Sequence, residues 1–113
     1  MTKLKILEFL VNGKSVFRRW FDDLDAHAAA KVATALYRLE EGNFSNVKPV
    51  GKGVSEYKID FGGGYRIYFG QDGKELIILL LGGTKKTQGK DISLAQKYWE
   101  LYKTIKRKRS KEG

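Results

Sequence analysis

Five polar side chains fall at alternate positions of two neighbouring apolar segments: Glu56, Lys58 and Asp60 in the first, Arg66 and Tyr68 in the second. A period of two puts them on one face of paired strands, and the apolar Tyr57, Ile59, Phe61, Tyr65, Ile67 and Phe69 on the other. A carboxylate, a lysine, an arginine and a phenol on one surface comprise proton donors, acceptors and a permanent cation, a set suited to chemistry beside an anionic group. The same alternation also describes the water-facing side of an antiparallel sheet, where Lys and Glu pairs across strands are ordinary.

A second stretch, Gly82 to Lys90 (GGTKKTQGK), reads as a glycine-flanked loop with three lysines and two threonines. Such a loop can cradle phosphate through backbone N–H groups and ammonium charge. Its glycine spacing is not that of a Walker loop. The triple glycine Gly62-Gly63-Gly64 joins two strands rather than a strand and a helix, so it does not read as a dinucleotide fingerprint.

Composition removes other chemistries. There is no cysteine, which excludes disulfides and thiolate metal sites, and a single histidine does not suit a histidine-built metal centre or triad. No metal or other cofactor is expected. His27 opens an Ala-rich segment and reads as a surface or capping residue. Trp20 and Phe21 read as core, whereas Tyr98, Trp99 and Tyr102 stay open between core packing and base stacking, because their segment runs into a basic tail.

The elements that must position these groups fit one domain of 113 residues, with 42% hydrophobic residues available for a core. Lys3 to Val11 reads as a first strand. Ser15 caps a short helix reaching Leu24, and Ala26 to Glu41 forms a second helix with Ala28, Val32, Ala35, Leu36 and Leu39 as its apolar stripe, stopped by Gly42-Asn43. Val54 to Phe61, Tyr65 to Phe69 and Glu75 to Leu81 form a three-strand meander turning at the triple glycine and at Asp72-Gly73. The last of these is apolar on both faces, as a central strand is. A helix from about Ile92 to Lys106 follows, and residues 106–113 read as a flexible basic tail. The expected class is α+β, with a small antiparallel-rich sheet and a C-terminal helix.

The net charge of +9 is uneven: from Lys85 onward there are ten Lys/Arg and three Asp/Glu. A concentrated cationic surface suits a polyanion such as RNA, because neutralising phosphates releases counterions. No apolar run is long enough for a membrane span, and no signal-like segment opens the chain, so a cytoplasmic protein without membrane contact is expected.

The stretches GVSEYKIDFGGGYRIYF and LLLGGTKKTQGKDISLA resemble the RelE/ParE superfamily of bacterial toxins, and most closely its HigB-like, phage-derived branch. That resemblance spans most of the chain, from the helix carrying Trp20 to that carrying Ala95. It implies a RelE-like fold, a toxin neutralised by an antitoxin encoded beside it, expected to be of helix-turn-helix type, and cleavage of messenger RNA, expected to occur on the ribosome. Arg66 matches the arginine set against the scissile phosphate, Lys58 a lysine assisting proton transfer, and Lys85 or Lys86 a second phosphate ligand. Asp60 stands where RelE has another lysine, and the late catalytic tyrosine of RelE has no counterpart near Ile92.

From this follows the expectation of a metal-independent endoribonuclease. The RNA 2'-hydroxyl attacks its own phosphate, so the protein need only align it, shuttle protons and stabilise charge. Arg66 would stabilise the transition state, with Lys58, Glu56 and Tyr68 as the proton-transfer candidates and Lys85, Lys86, Gln88 and Lys90 on flanking phosphates. The alternative is a ParE-like toxin that inhibits DNA gyrase by binding, and a plain nucleic-acid-binding module is a third reading.

Overall fold

The computed structural model describes residues 3–112. In chain order it runs β1 (Lys5–Glu8), β2 (Leu10–Val11), β3 (Lys14–Ser15), α1 (Val16–Asp22), α2 (Ala26–Glu40), β4 (Val47–Pro49), β5 (Val54–Ile59), β6 (Tyr65–Asp72), β7 (Leu76–Thr84), a 3-10 turn (Lys85–Thr87) and α3 (Gln88–Glu112). The main sheet has the order β1-β7-β6-β5-β4, with β1 parallel to β7 and every other pair antiparallel. The α+β class is therefore as expected, and β7 is the central strand that its two apolar faces require.

Local chemistry sets the element ends. The Ser15 hydroxyl accepts from Arg18 N–H and caps α1, and the Asp25 carboxylate accepts from Ala28 N–H and caps α2. At the far end of α2, Gly42 takes φ +80° while the Gly42 and Asn43 N–H groups return to the Leu39 and Arg38 carbonyls, a Schellman closure that a residue with a Cβ would strain.

Several elements differ from the sequence reading: α1 stops at Asp22 short of Leu24, β5 at Ile59 short of Phe61, and β6 runs on to Asp72. The first strand breaks at Phe9, and the chain then folds into the β2–β3 hairpin over Asn12-Gly13, both with positive φ. Strand β4, too short and polar to carry a periodic signal, adds an edge beyond β5. Gly82 to Thr84 belong to β7 and Lys85 to Thr87 to a 3-10 turn, so the expected lysine loop is a tight strand-to-helix junction. Helix α3 begins at Gln88 rather than about Ile92 and continues to Glu112 rather than ending at Lys106.

The sheet is covered on both faces. The α1–α2 hairpin packs Phe17, Val32, Ala35 and Leu39 onto Tyr57, Ile59, Ile67, Phe69, Ile77 and Leu79. Across the sheet, Ala95 and Trp99 of α3 pack with Phe9, Val54, Tyr68, Ile78, Leu80 and Leu81. Two glycines admit indole rings: a Cβ on Gly82 would enter Trp20, and one on Gly70 would enter Trp99. Both tryptophans are thus packing residues, and Trp99 stacks on Tyr102.

Candidate active site

Strand register assembles the polar face into two rows. Lys48 of β4 lies beside Glu56 of β5, which lies beside Tyr68 of β6; one step along, Lys58 lies beside Arg66, which lies beside Gly83 of β7. Gly83 must lack a side chain because the Asp91 carboxylate of α3, which accepts from the Thr87 hydroxyl, occupies the space a Cβ would need.

The face is not a water-facing surface, which corrects the simplest expectation from alternation. Glu56 is 0%, Arg66 5% and Tyr68 0% exposed, because α3 lies across them. Lys58 and Asp60, beyond the reach of α3, stay exposed and form an ion pair at 3.6 Å, a contact of small energetic weight in water.

Within the buried part, Gln88 Nε2 donates to Glu56 Oε2 at 2.9 Å. Arg66 Nε stands 3.7 Å from Glu56 Oε1, and Lys48 Nζ 3.8 Å from the same oxygen. Arg66 Nε and Nη1, Glu56 Oε1 and the Tyr68 hydroxyl are buried without a hydrogen-bond partner. Unsatisfied buried polar atoms are costly and uncommon, and a cluster of them is a mark of a functional site. Burial, reinforced by the Glu56 charge, pushes the Tyr68 hydroxyl well above its ordinary value, so it remains protonated at neutral pH and is able to donate.

Arg66 also borders a pocket of about 260 Å3 whose other walls are Lys58, Asp60, the Gly62–Gly64 turn and Lys85. Three cations and one carboxylate make it an anion-favouring cavity. Gly64, at φ +82°, brings the turn alongside: a Cβ there would lie 3.8 Å from Arg66 Nη1 and 3.7 Å from Lys85 Cβ.

Of the residues singled out in the sequence, Arg66, Lys58 and Lys85 meet at this pocket, with Glu56, Gln88 and Tyr68 around Arg66 behind it. Gln88 is turned to Glu56, and Lys86 and Lys90 are exposed and do not line the pocket. The sequence reading missed Lys48; it placed Gly83 and Thr87 in a phosphate-cradling loop and Asp91 in the stretch that carries the family resemblance, but not as the packed junction that Gly83, Thr87 and Asp91 form here. The i,i+4 spacing of Thr87 and Asp91 was the legible signal for that pair, whereas nothing local marks Lys48. His27 is exposed, and among the described residues no group of His, Asp and Glu is placed to hold a metal ion. No helix is long and apolar enough to cross a membrane among the described residues.

A family model described as phage derived protein Gp49-like (DUF891) matches residues 19–102, which include both polar rows. An uncharacterized protein of Haemophilus influenzae is 43% identical over 81 residues, covering 71% of this chain and 82% of that protein. No solved structure matches the chain significantly.

Proposed function

The chain belongs to the Gp49-like family of phage-derived proteins, a RelE/HigB-type toxin-like family, and on that premise we propose that it is the toxin of a toxin–antitoxin pair and a metal-independent endoribonuclease acting on messenger RNA. The observation that carries this reading is Arg66, held by strand register at the wall of a cationic pocket with buried N–H groups that have no partner. A phosphate in the pocket would meet this guanidinium at its wall, and a guanidinium can hold two oxygens of one phosphate in a planar fork.

RNA carries its own nucleophile, so cleavage requires alignment of the 2'-hydroxyl, removal of its proton, a proton for the departing 5'-oxygen and stabilisation of the charge that accumulates on phosphorus oxygens. Arg66 supplies the last of these from one wall and Lys85 from another. Lys58, exposed at the pocket rim, is the proton-transfer residue nearest solvent. Tyr68 is suited only to donation. Glu56, enclosed by Gln88, Arg66 and Lys48, is better suited to orient Arg66 than to reach a hydroxyl. Lys86 and Lys90, outside the pocket, are left to flanking phosphates. The partner is an antitoxin whose acidic segment would oppose this cationic surface, and the setting is the cytoplasm, on translating ribosomes.

Primer extension on translated messenger RNA, beside a gyrase supercoiling assay with the same preparation, tests the reading. Cleaved transcripts with unaffected gyrase are expected. Intact transcripts with inhibited gyrase would replace the ribonuclease by a ParE-like inhibitor, a reading supported by the absent late tyrosine.

A further inference from the structure

Strand β4 pairs with β5 from Val47–Tyr57 to Pro49–Ser55, and the Lys58 N–H still donates to the Asn46 carbonyl at 3.0 Å, so the edge is left uncovered only beyond Lys58, at Ile59 and Asp60. Between that edge and α2 lies a cleft of about 680 Å3, lined by Lys31, Arg38, Lys48 and Lys58 with Asp60 as its single carboxylate. Asp60 is paired with Lys58 and Lys48 leans to Glu56, whereas Lys31 and Arg38 are in no ion pair among the described residues; Lys31 Nζ stands 5.4 Å over the Phe61 ring. We propose that this cleft between α2 and the β4–β5 edge binds the phosphates of a single RNA strand that continues out of the Arg66 pocket. The position of the reacting phosphate rests on the ribonuclease reading above.

Two features favour a strand of RNA over other anions. Lys58 and Asp60 line both the cleft and the Arg66 pocket, so the two cavities adjoin, with that exposed ion pair as their shared wall. Lys31 and Arg38 are seven residues apart on α2, about 10.5 Å along a helix axis, so they serve different phosphates of an extended chain rather than one free ion. An acidic amphipathic peptide fits less well: none of the exposed large apolar side chains Leu7, Leu10, Tyr37, Leu101 and Ile105 lines the cleft to anchor it. The charge is invisible in the sequence because it comes from three separate elements, none of them strongly basic.

The test is fluorescence anisotropy of the full chain with a single-stranded RNA carrying 2'-O-methyl groups throughout, which binds but cannot be cleaved, over a salt series. Lys31→Gln with Arg38→Gln should weaken binding about tenfold or more and reduce the slope of log affinity against log salt by about 1.4, at about 0.7 per lost phosphate contact. Lys31→Arg with Arg38→Lys, which keeps both charges, should restore the slope and excludes a folding defect as the cause. An unchanged slope in the double Gln variant overturns the proposal, as does failure of the unaltered chain to bind. Displacement of a poly-glutamate peptide by the double variant's substitutions, with RNA binding untouched, would assign the cleft to a protein partner and likewise overturn it. Because the probe RNA is uncleavable, loss of the ribonuclease reading, seen as intact transcripts, is separable from loss of this one.

Discussion

At the scale of single residues, burial changes what a substitution at Arg66 reports. A solvent-side strand residue would be removable at little cost to stability, which is the expectation from alternation alone. With Arg66 at 5% exposure beside the fully buried Glu56, Arg66→Ala strands a carboxylate. It should cost about 3 kcal/mol, the low end for a broken buried pair, because Gln88 and Lys48 remain on Glu56. Thermal unfolding should fall by roughly 10 °C or more. Loss of cleavage in that variant is therefore ambiguous by itself. Arg66→Lys keeps the charge and loses the planar fork; it should fold with a midpoint nearer the parent yet recover only part of the cleavage rate, and full recovery would show that the fork is unused. Tyr68→Phe separates the roles more cleanly. Its hydroxyl has no partner, so the change should be neutral or stabilising, within about 1 kcal/mol. Cleavage should nevertheless fall about a hundredfold if that hydroxyl donates a proton, and an unaltered single-turnover rate would remove Tyr68 from the chemistry.

At the scale of elements, α3 encloses the buried half of the site, and its seating depends on two glycines. Gly70 faces the Trp99 ring and Gly83 the Asp91 carboxylate, each without room for a Cβ. Gly70→Ala should cost about 3 kcal/mol by overpacking, detectable as a lower denaturation midpoint in urea. Gly83→Ala should separate Asp91 from Thr87 and shift the strand-to-helix junction, lowering cleavage more than stability, because Gln88 and Lys85 move with that junction. By contrast, removal of the α2 cap by Asp25→Ala should cost about 1 kcal/mol and leave cleavage nearly intact, since no residue of α2 lines the Arg66 pocket.

At the scale of the molecule, the far end of α3 is tied to β6 by charge. Tyr102 donates to Asp72 Oδ2 at 2.6 Å, and Lys106 Nζ meets both Asp72 oxygens at 2.6 Å. The Lys106 bond first, and then the Tyr102 bond, hold the Asp72 carboxyl below its ordinary value of 3.8. Burial, and then Asp72, push Tyr102 up to about 12. A depressed carboxylate contributes stability that is present above its unfolded value and lost as pH falls through its folded one; a raised phenol contributes below its unfolded value and loses it as pH rises through its folded one. The tie is therefore strongest between roughly pH 4 and pH 10. Glu8, lowered chiefly by its bond to Arg18, adds to the acid limb. Asp72→Asn should flatten the decline of the thermal midpoint between about pH 5 and pH 2. Deleting residues 106–113 also removes Lys106, so it should cost up to about 1 kcal/mol where a dispensable tail would cost nothing, whereas deleting 108–113 should not.

Period-two alternation in Val54 to Phe61 and Tyr65 to Phe69, the apolar run at Leu76, the caps at Ser15 and Asp25 and the stop at Gly42 are properties of neighbouring residues. They were legible, and with them the α+β class, the helical hairpin and the placing of Glu56, Lys58, Arg66 and Tyr68 on one face. What no local pattern states is what lies over that face. A strand with alternating polarity has the same pattern whether its polar side meets water or a helix arriving from thirty residues away, and here α3 makes Glu56, Arg66 and Tyr68 buried while leaving Lys58 and Asp60 outside. That Glu56 and Tyr68 are enclosed while Arg66, Lys58 and Lys85 border the pocket was consequently decided by tertiary packing. So was the meeting of Lys31, Arg38, Lys48 and Lys58 in one cleft, because electrostatic potential adds charges by their separation in space, whereas a count along the chain assigns basicity only to the C-terminal segment.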